Sequence, residues 1–424
     1  MKIKKKISTG KLNLNPTKIK LLEQEDNTMA ILTQQLQNMH SSDSTLLSKK
    51  SLRRLKNAFT YEYSGETKQL FMSEDELQQL LFNFENVPFP TPENPTFTFI
   101  DLFAGIGGFR IAMQNLGGKC IFTSEWDRDA KKTYQANFGE FPFGDITKDS
   151  TKKFIPNNFD VLCAGFPCQA FSIAGKRGGF EDTRGTLFFD VAEIIKQKAP
   201  KAFFLENVKG LRSHDKGKTF ETIINVLRND LNYFVPEPQT INAKDFGVPQ
   251  NRERIYIIGF RQDQKVTDFK YPKPTGKKVF FAQVKEKNIV RTKYYLSKQY
   301  LQTLHNHKAR HKRKGNGFGF EIIPDLGISN AVVCGGMGRE RNLVFDNRIT
   351  DFTPETKIKS GVNREGIRKM TPREWARLQG FPDSYVIPVS DASAYKQFGN
   401  SVAIPAIQAT AKKMLEEIGV KTLC

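Results

Sequence analysis

Between Phe97 and Phe260 the chain alternates short apolar runs with amphipathic segments, and glycines punctuate the changes. FTFIDLF, residues 97–103, has strand length and aromatic enrichment. AGIGG follows. Phe109, Ala112, Met113 and Leu116 then recur at helical spacing until Gly117 and Gly118 stop the run. KCIFTSEW, DVLCAGF, KAFFLENV and RIYIIGF repeat the strand signal, while VAEIIKQ and FETIINVLRNDL carry the helical period. This alternation predicts an α/β domain with a mainly parallel sheet.

The flanks read differently. Residues 1–60 are polar with basic clusters and suggest a loose arm. Ser73 and Glu76 form a capping-box pattern, with Met72 and Leu77 at staple positions, so a helix is predicted over 72–85. VPFPTPENP, residues 87–95, marks a boundary with its prolines. From about Pro272 the alternation fails. Residues 285–314 are densely basic, with Glu286 as the only acid, and a glycine-rich stretch follows. The tail AYKQFGNSVAIPAIQATAKKMLEEI is again helical in pattern. No internal repeat is visible.

Composition narrows the class. A hydrophobic fraction of 38% over 424 residues is enough for a large core, which excludes a globally disordered chain. The formal net charge of +20 points to a polyanionic partner, although charge alone is also a property of generically basic proteins. Five widely spaced cysteines, Cys120, Cys163, Cys168, Cys334 and Cys424, argue against a disulfide framework and for a reducing compartment. No apolar run has membrane-spanning length, and the basic N-terminus lacks the apolar stretch of a signal peptide. A soluble cytoplasmic protein is expected.

The candidate chemistry sits at the turns after strands. Phe103-Ala104-Gly105-Ile106-Gly107-Gly108 joins a strand to a helix and would let backbone amides approach a ligand, or would simply make a tight turn. Glu125 closes the next strand, where a carboxylate commonly holds ribose hydroxyls. The loop is not GxGxxG, so a cofactor without a pyrophosphate, such as S-adenosyl-L-methionine, fits better than a dinucleotide. Trp126 is either an adenine platform or a half-buried core residue, and Asp145 either meets the adenine edge or makes an ordinary turn.

Cys168 follows DVLCAGF and Pro167, at the carboxyl edge of the sheet where doubly wound folds bind ligands. An ordinary thiol is only about 3% ionised at neutral pH, yet its thiolate is strongly nucleophilic. Glu206, in FLENV, ends another strand and should reach the same edge. A cysteine and a carboxyl there suit covalent attack paired with proton donation. Cys120 and Cys163 read as core filler. Among His305, His307 and His311 no paired ligand pattern supports a metal.

FAGIGG, PCQ, ENV, QNRERIYIIGF and FGNSV, in chain order, closely resemble the motifs of DNA cytosine-5 methyltransferases from bacterial type II restriction–modification systems. The likeness runs from about Phe97 to Ile418, with a variable gap near 273–365; the first 96 residues fall outside it. It implies a Rossmann-like methyltransferase domain with a smaller, irregular target-recognition domain. The expected division is 1–96 as an extension, 97–272 as catalytic and cofactor-binding domain, 273–371 as recognition domain, and 372–424 as hinge and returning C-terminal helix.

The resemblance also assigns roles. Cys168 would add to carbon 6 of cytosine, and Glu206 would bond nitrogen 3 and the amino group. Arg252 and Arg254 match the family's paired arginines, Arg254 holding the cytosine or polarising the adduct; Arg252 would alternatively be a structural partner of Glu253 or Glu206. The S-adenosyl-L-methionine pocket would comprise Phe103, Ala104, Gly105, Ile106, Gly107, Gly108, Glu125, Trp126, Asp145, Ile146, Gly165, Pro167, Leu187, Asn400, Ser401 and Val402. Because the target carbon lies inside a duplex stack, the base must be flipped out. The loop 172–185 would then close on the DNA, with Ser172 and Arg177 near phosphates or the vacated space. AVVCGGMGRERNLV, residues 331–344, is the candidate recognition loop. There Gly335, Gly336, Met337 and Gly338 would permit groove entry, and Arg339 or Arg341 would contact guanine. The basic stretch 285–314 would meet phosphates. KMTPREWARLQGFPDSY, residues 369–385, matches the segment linking the lobes, with Trp375 in the core.

The expected partner is double-stranded DNA, acted on by a monomer in the bacterial cytoplasm at the nucleoid. A cognate restriction endonuclease would act on the same site without binding this chain. A transfer-RNA cytosine-5 methyltransferase on the same scaffold is the alternative. An idle DNA-binding module is disfavoured by the intact Cys168, Glu206 and Arg254, and a nicotinamide dehydrogenase by the glycine pattern.

Overall fold

The computed structural model describes residues 87–167, 186–317, 319–334, 338–355, 357–358 and 360–423, with residues 6–8, 19–21, 27, 30, 33–34, 59–63 and 66–71 before them. The predicted helix over 72–85 lies outside the described residues, as do Cys168, Ser172, Arg177, Gly335, Gly336 and Met337; of Gly338 and Arg339 only the backbone is described.

Apolar runs buried on both faces read as near-continuous hydrophobic strands, and those strands form the central sheet. β1 (Phe97–Leu102), β2 (Gly118–Ser124), β3 (Val161–Gly165) and β4 (Ala202–Val208) run parallel in the order β2-β1-β3-β4. β5 (Gln239–Asn242) and β6 (Glu253–Arg261) extend it antiparallel, β6 against β4 and β5 outermost. The short strand Tyr233–Phe234 also pairs with β6, giving seven strands among the described residues.

Alternation along each strand splits the core in two. Phe99, Phe204, Tyr256 and Ile258 face one cluster with α1 (Gly108–Asn115) and α2 (Arg128–Phe138). Ile100, Leu102, Phe203, Leu205, Ile255 and Ile257 face the other, with α3 (Leu187–Lys198) and α4 (Lys218–Asn225). The architecture is therefore α/β with a mainly parallel sheet covered on both sides.

The smaller unit holds α5 (Lys298–Arg313) and a three-stranded sheet, β7 (Glu321–Ile323), β8 (Asn342–Phe345) and β9 (Ile367–Lys369), with β8 central. Leu301 and Leu304 are the buried residues of α5, packed near Leu343 and Ile367; its C-terminal half presents Lys308, Arg310, Lys312 and Arg313, all exposed. α6 (Pro372–Leu378) follows, opened by the Thr371–Glu374 capping box. Fully buried Arg368 ties this unit to α6. It bonds Glu374 at 2.8 Å and Asp346 at 3.0 Å. The tail forms α7 (Asp391–Asn400) and α8 (Ile404–Glu417). α8 lies on α1, where Asn115 Nδ2 donates to Gln408 Oε1 at 3.0 Å.

The reading of residues 1–60 as a loose arm is corrected. Strands Lys6–Ser8, Ile19–Leu21, Phe59–Tyr63 and Glu66–Phe71 form a separate four-stranded sheet. The two-residue alternation of FTYEY, set off from ETKQLF by Ser64-Gly65, is a hairpin signature that the polar composition obscured.

A buried ion pair fixes the glycine-loop helix to α2's C-terminal turn. Arg110 reaches Glu140 in a two-pronged contact at 2.5 and 2.6 Å, donates to the Tyr134 hydroxyl, and lies 4.7 Å above the Phe138 ring. Both partners are almost fully buried, so truncating one leaves an uncompensated charge. Glu140→Ala is expected to cost about 3–5 kcal/mol of stability. A denaturant titration would measure this, and a cost below about 1 kcal/mol would contradict the account.

Candidate active site

Strand ends bring the predicted groups to one edge. Gly165, the last residue of β3, pairs in register with Glu206 on β4. Val208, two residues on and on the same face, pairs with Arg254 of β6. Arg254 is thus a diagonal neighbour of Glu206, and its Nε lies 3.0 Å from Glu206 Oε1. Glu206 is buried, and burial pushes its carboxyl above the ordinary range; Arg254 and then Arg252 oppose that shift. A Cβ added at Gly165 would sit 3.6 Å from Glu206 Oε2, so glycine keeps the space before that carboxylate open.

Asn207 faces the opposite side of β4. Its Nδ2 donates 2.9 Å to the Phe166 carbonyl, immediately before exposed Pro167. This buried amide pins the chain that leads to Cys168, which itself lies outside the described residues. Sequence reading assigns Asn207 no role, although ENV places it beside Glu206. Cys120 and Cys163 are fully buried, and burial pushes both thiols up, away from reactivity.

Arg252, expected among the catalytic residues, has another environment. Its guanidinium donates to the carbonyls of Val332 (2.8 Å), Gly399 (3.1 Å) and Ser401 (2.5 Å). It pairs with neither Glu253, which meets Lys209, nor Glu206, which meets Arg254. Gln250 completes this buried junction. It donates to Leu378 O at 2.8 Å and accepts from Val332 N at 2.9 Å.

On the cofactor side, Phe103 and Gly105 adopt positive φ, both 55°, and Gly107 adopts 82°. A Cβ at Gly107 would strike the Phe138 ring at 2.3 Å, whereas one at Gly105 would meet open space. Gly107 therefore serves packing, while the space beside Gly105 is open. Ala104, Ile106 and Gly108 are buried beneath, and Gly108 lies against Ser401 and Val402. Tyr385, with no sequence signal of its own, donates 2.6 Å to the Ile106 carbonyl.

Glu125 accepts from Gly105 N at 2.8 Å and from Asp127 N at 2.7 Å, which locks the glycine loop to the end of β2. Burial raises its carboxyl, against those amides. Trp126 is 79% exposed and so is no core residue. Asp145 is half-buried and accepts from the Thr147 amide and hydroxyl, while Ile146 beside it is buried. Leu187 is half-buried at the start of α3. Asn400 is exposed and accepts from Cys334 Sγ at 2.7 Å. Arg341 is exposed at the end of the four-residue helix Gly338–Arg341.

An unobstructed glycine bonded to a buried strand-end carboxylate, with an exposed indole beside it, fits an adenosine cofactor; the carboxylate–arginine pair on β4 and β6 fits chemistry on a polar ring. Residues 97–416 match the C-5 cytosine-specific DNA methylase model, and the chain belongs to that family. It is a DNA (cytosine-5)-methyltransferase of the bacterial type II restriction–modification class.

The chain is 76% identical over 323 residues to the type II methyltransferase M.HpaII of Haemophilus parainfluenzae, covering 76% of this chain and 90% of that protein. It is 42% identical over 331 residues to M.HhaI of Haemophilus parahaemolyticus, covering 76% and 95%. Among solved structures it resembles the Entamoeba histolytica methyltransferase EhMeth, with TM-score 0.57, 18% identity, and 76% and 98% coverage. The Dnmt2 methyltransferase of S. pombe matches with TM-score 0.55, 17% identity and the same coverage. These structural likenesses bear on the fold alone.

Replacing Arg254 by Met removes the cation that holds Glu206's carboxyl down, so that carboxyl should titrate at higher pH. The inflection in kcat/KM that Glu206→Gln abolishes should move upward in Arg254→Met. A downward or absent shift in the pH–activity profile would refute the coupling.

Proposed function

We propose that this enzyme methylates carbon 5 of a cytosine flipped out of duplex DNA, through a transient bond to Cys168. The observation that supports it most is the buried Glu206–Arg254 pair, in register with Gly165 three residues before Cys168. The thiolate adds to carbon 6, and the ring's electron pair moves to carbon 5. Glu206 in its protonated form donates to nitrogen 3 and accepts from the amino group, offsetting the negative charge that builds in the ring, while Arg254 holds that carboxyl group and the cytosine edge. Once carbon 5 carries its methyl, a base removes the carbon-5 proton and the thiolate leaves. Arg252 acts as a positioning residue through the carbonyls it binds.

S-adenosyl-L-methionine would supply the electrophilic methyl from its sulfonium. Glu125 would take the ribose hydroxyls, Trp126 the adenine face and Asp145 with Ile146 the adenine edge. Gly105, Leu187, Pro167 and Asn400 with Ser401 would line the remainder. Residues 97–272 would form the catalytic domain, 273–371 the recognition domain, and 372–424 the hinge and return. Ser172, Arg177, Arg339 and Arg341 would meet DNA. The enzyme would work as a monomer in the cytoplasm and protect host DNA from a cognate endonuclease. The transfer-RNA alternative is not favoured: the relatives in question are type II methyltransferases.

A duplex carrying 5-fluorocytosine cannot lose the carbon-5 substituent, so with the methyl donor it should trap the wild type covalently. Cys168→Ala should give no trapped species and no methyl transfer while retaining duplex binding; undiminished transfer would overturn the covalent route. The basic face of α5 should make duplex affinity fall steeply with salt. Removing Lys308, Lys312 and Arg313 together should reduce the log–log slope by roughly 0.9 for each phosphate no longer neutralised. An unchanged slope would contradict the phosphate role.

A further inference from the structure

Asn27, Ala30, Thr33 and Gln34 lie far upstream of the family domain, yet all are buried against it. They recur at three- and four-residue spacing, and Ala30, Thr33 and Gln34 are helical, so they share one face. Asn27 Oδ1 accepts from Gly144 N at 2.8 Å, and its Nδ2 donates to Thr151 Oγ1 at 3.3 Å. Thr33 Oγ1 accepts from Phe141 N at 2.8 Å. Gln34 Nε2 donates to the carbonyls of Thr123 and Phe141, both at 3.3 Å. Ala30 is fully buried in the cluster that holds Phe143 and Ile146.

These bonds fall on the outer edge of the sheet. β2 is the terminal strand, and segment 141–144 continues beyond it through only a short ladder: Phe143 N to Thr123 O (2.8 Å) and Glu125 N to Phe143 O (2.9 Å). Phe141 N and Gly144 N have their partners upstream, in Thr33 and Asn27. Gly144 directly precedes Asp145 and Ile146, and Thr123 lies two residues before Glu125.

We propose that Asn27, Ala30, Thr33 and Gln34 are positioning residues of the S-adenosyl-L-methionine site, holding the loop with Asp145 and Ile146 against the strand end that carries Glu125. The proposal rests on the reading of Asp145 and Ile146 as cofactor contacts. These upstream residues thereby brace the sheet-edge segment that leads into Asp145 and Ile146.

The test uses the full chain with Asn27→Ala, Asn27→Asp, Gln34→Ala and, separately, Asp145→Ala. Cofactor Kd by calorimetry, KM and kcat are measured for each, with thermal melting as the folding control. Asn27→Ala and Gln34→Ala should each raise the cofactor Kd and KM by about fivefold or more, roughly 1 kcal/mol, while kcat at saturating cofactor changes far less. Asn27→Asp keeps the acceptor for Gly144 N and should recover most of the affinity. A merely structural role would lower the melting temperature and leave the KM of the folded enzyme unchanged, and that result overturns the proposal. If Asp145→Ala weakens binding and the Asn27 and Gln34 variants do not, the bracing fails and the cofactor reading survives. If Asp145→Ala binds normally, the adenine-edge reading falls and the bracing proposal with it.

Discussion

Arg252 carries its charge to a place with almost no water, and a guanidinium there must find acceptors or cost several kcal/mol. The acceptors it finds are backbone carbonyls from distant segments: Val332, on the approach to the glycine–arginine loop, Gly399, in the last turn of α7, and Ser401, between α7 and α8. Burial and then the neighbouring Arg254 act against its charge, Glu206 favours it, and the carbonyls supply its direct hydrogen-bond acceptors. Gln250, two residues earlier, adds Leu378 and Val332 to the same junction, and Gln379 reaches on to Phe398. The central sheet, the segment before the glycine–arginine loop and the end of α7 beneath the glycine loop thus meet at one desolvated cation. Gly399 belongs to this junction for a steric reason: a Cβ there would lie 2.5 Å from Cys334 N.

Around that junction two carboxylates are held differently. Glu206 has an arginine partner and an open glycine in front of it, so its charge is poised by one cation. Glu125 is held by backbone amides, which fixes the glycine loop without committing a cation. The two buried acids, at the ends of β2 and β4 with β1 and β3 between them, therefore have separate environments, one set by a cation and one by backbone amides.

Much of the central sheet was legible because strands buried on both faces are predominantly apolar, as FTFIDLF, DVLCAGF, KAFFLENV and RIYIIGF are. Glu206 and Glu125 stood out as acids at the ends of such runs. Trp126 was undecidable locally, since core and platform residues look alike in sequence; its exposure is a tertiary fact. For Arg252 the sequence left a structural alternative open, with Glu253 or Glu206 as partner, and could not name the carbonyls it meets. Arg252 and Arg254 alternate by two, but Arg254 lies in a ladder opposite Val208, while Arg252 lies where other segments supply carbonyls.

Local pattern determined which segments become strands and helices, where the chain turns, and which residue types stand at strand ends, because those depend on period and on burial of neighbouring side chains. Tertiary structure decided the partners: Tyr385 beneath Ile106, Asn207 behind Phe166, Asn27 on Gly144. Each is a polar side chain satisfying a backbone group far away in the chain. Nothing in a local pattern specifies such a bond, since it forms only when packing removes the water that would otherwise make it.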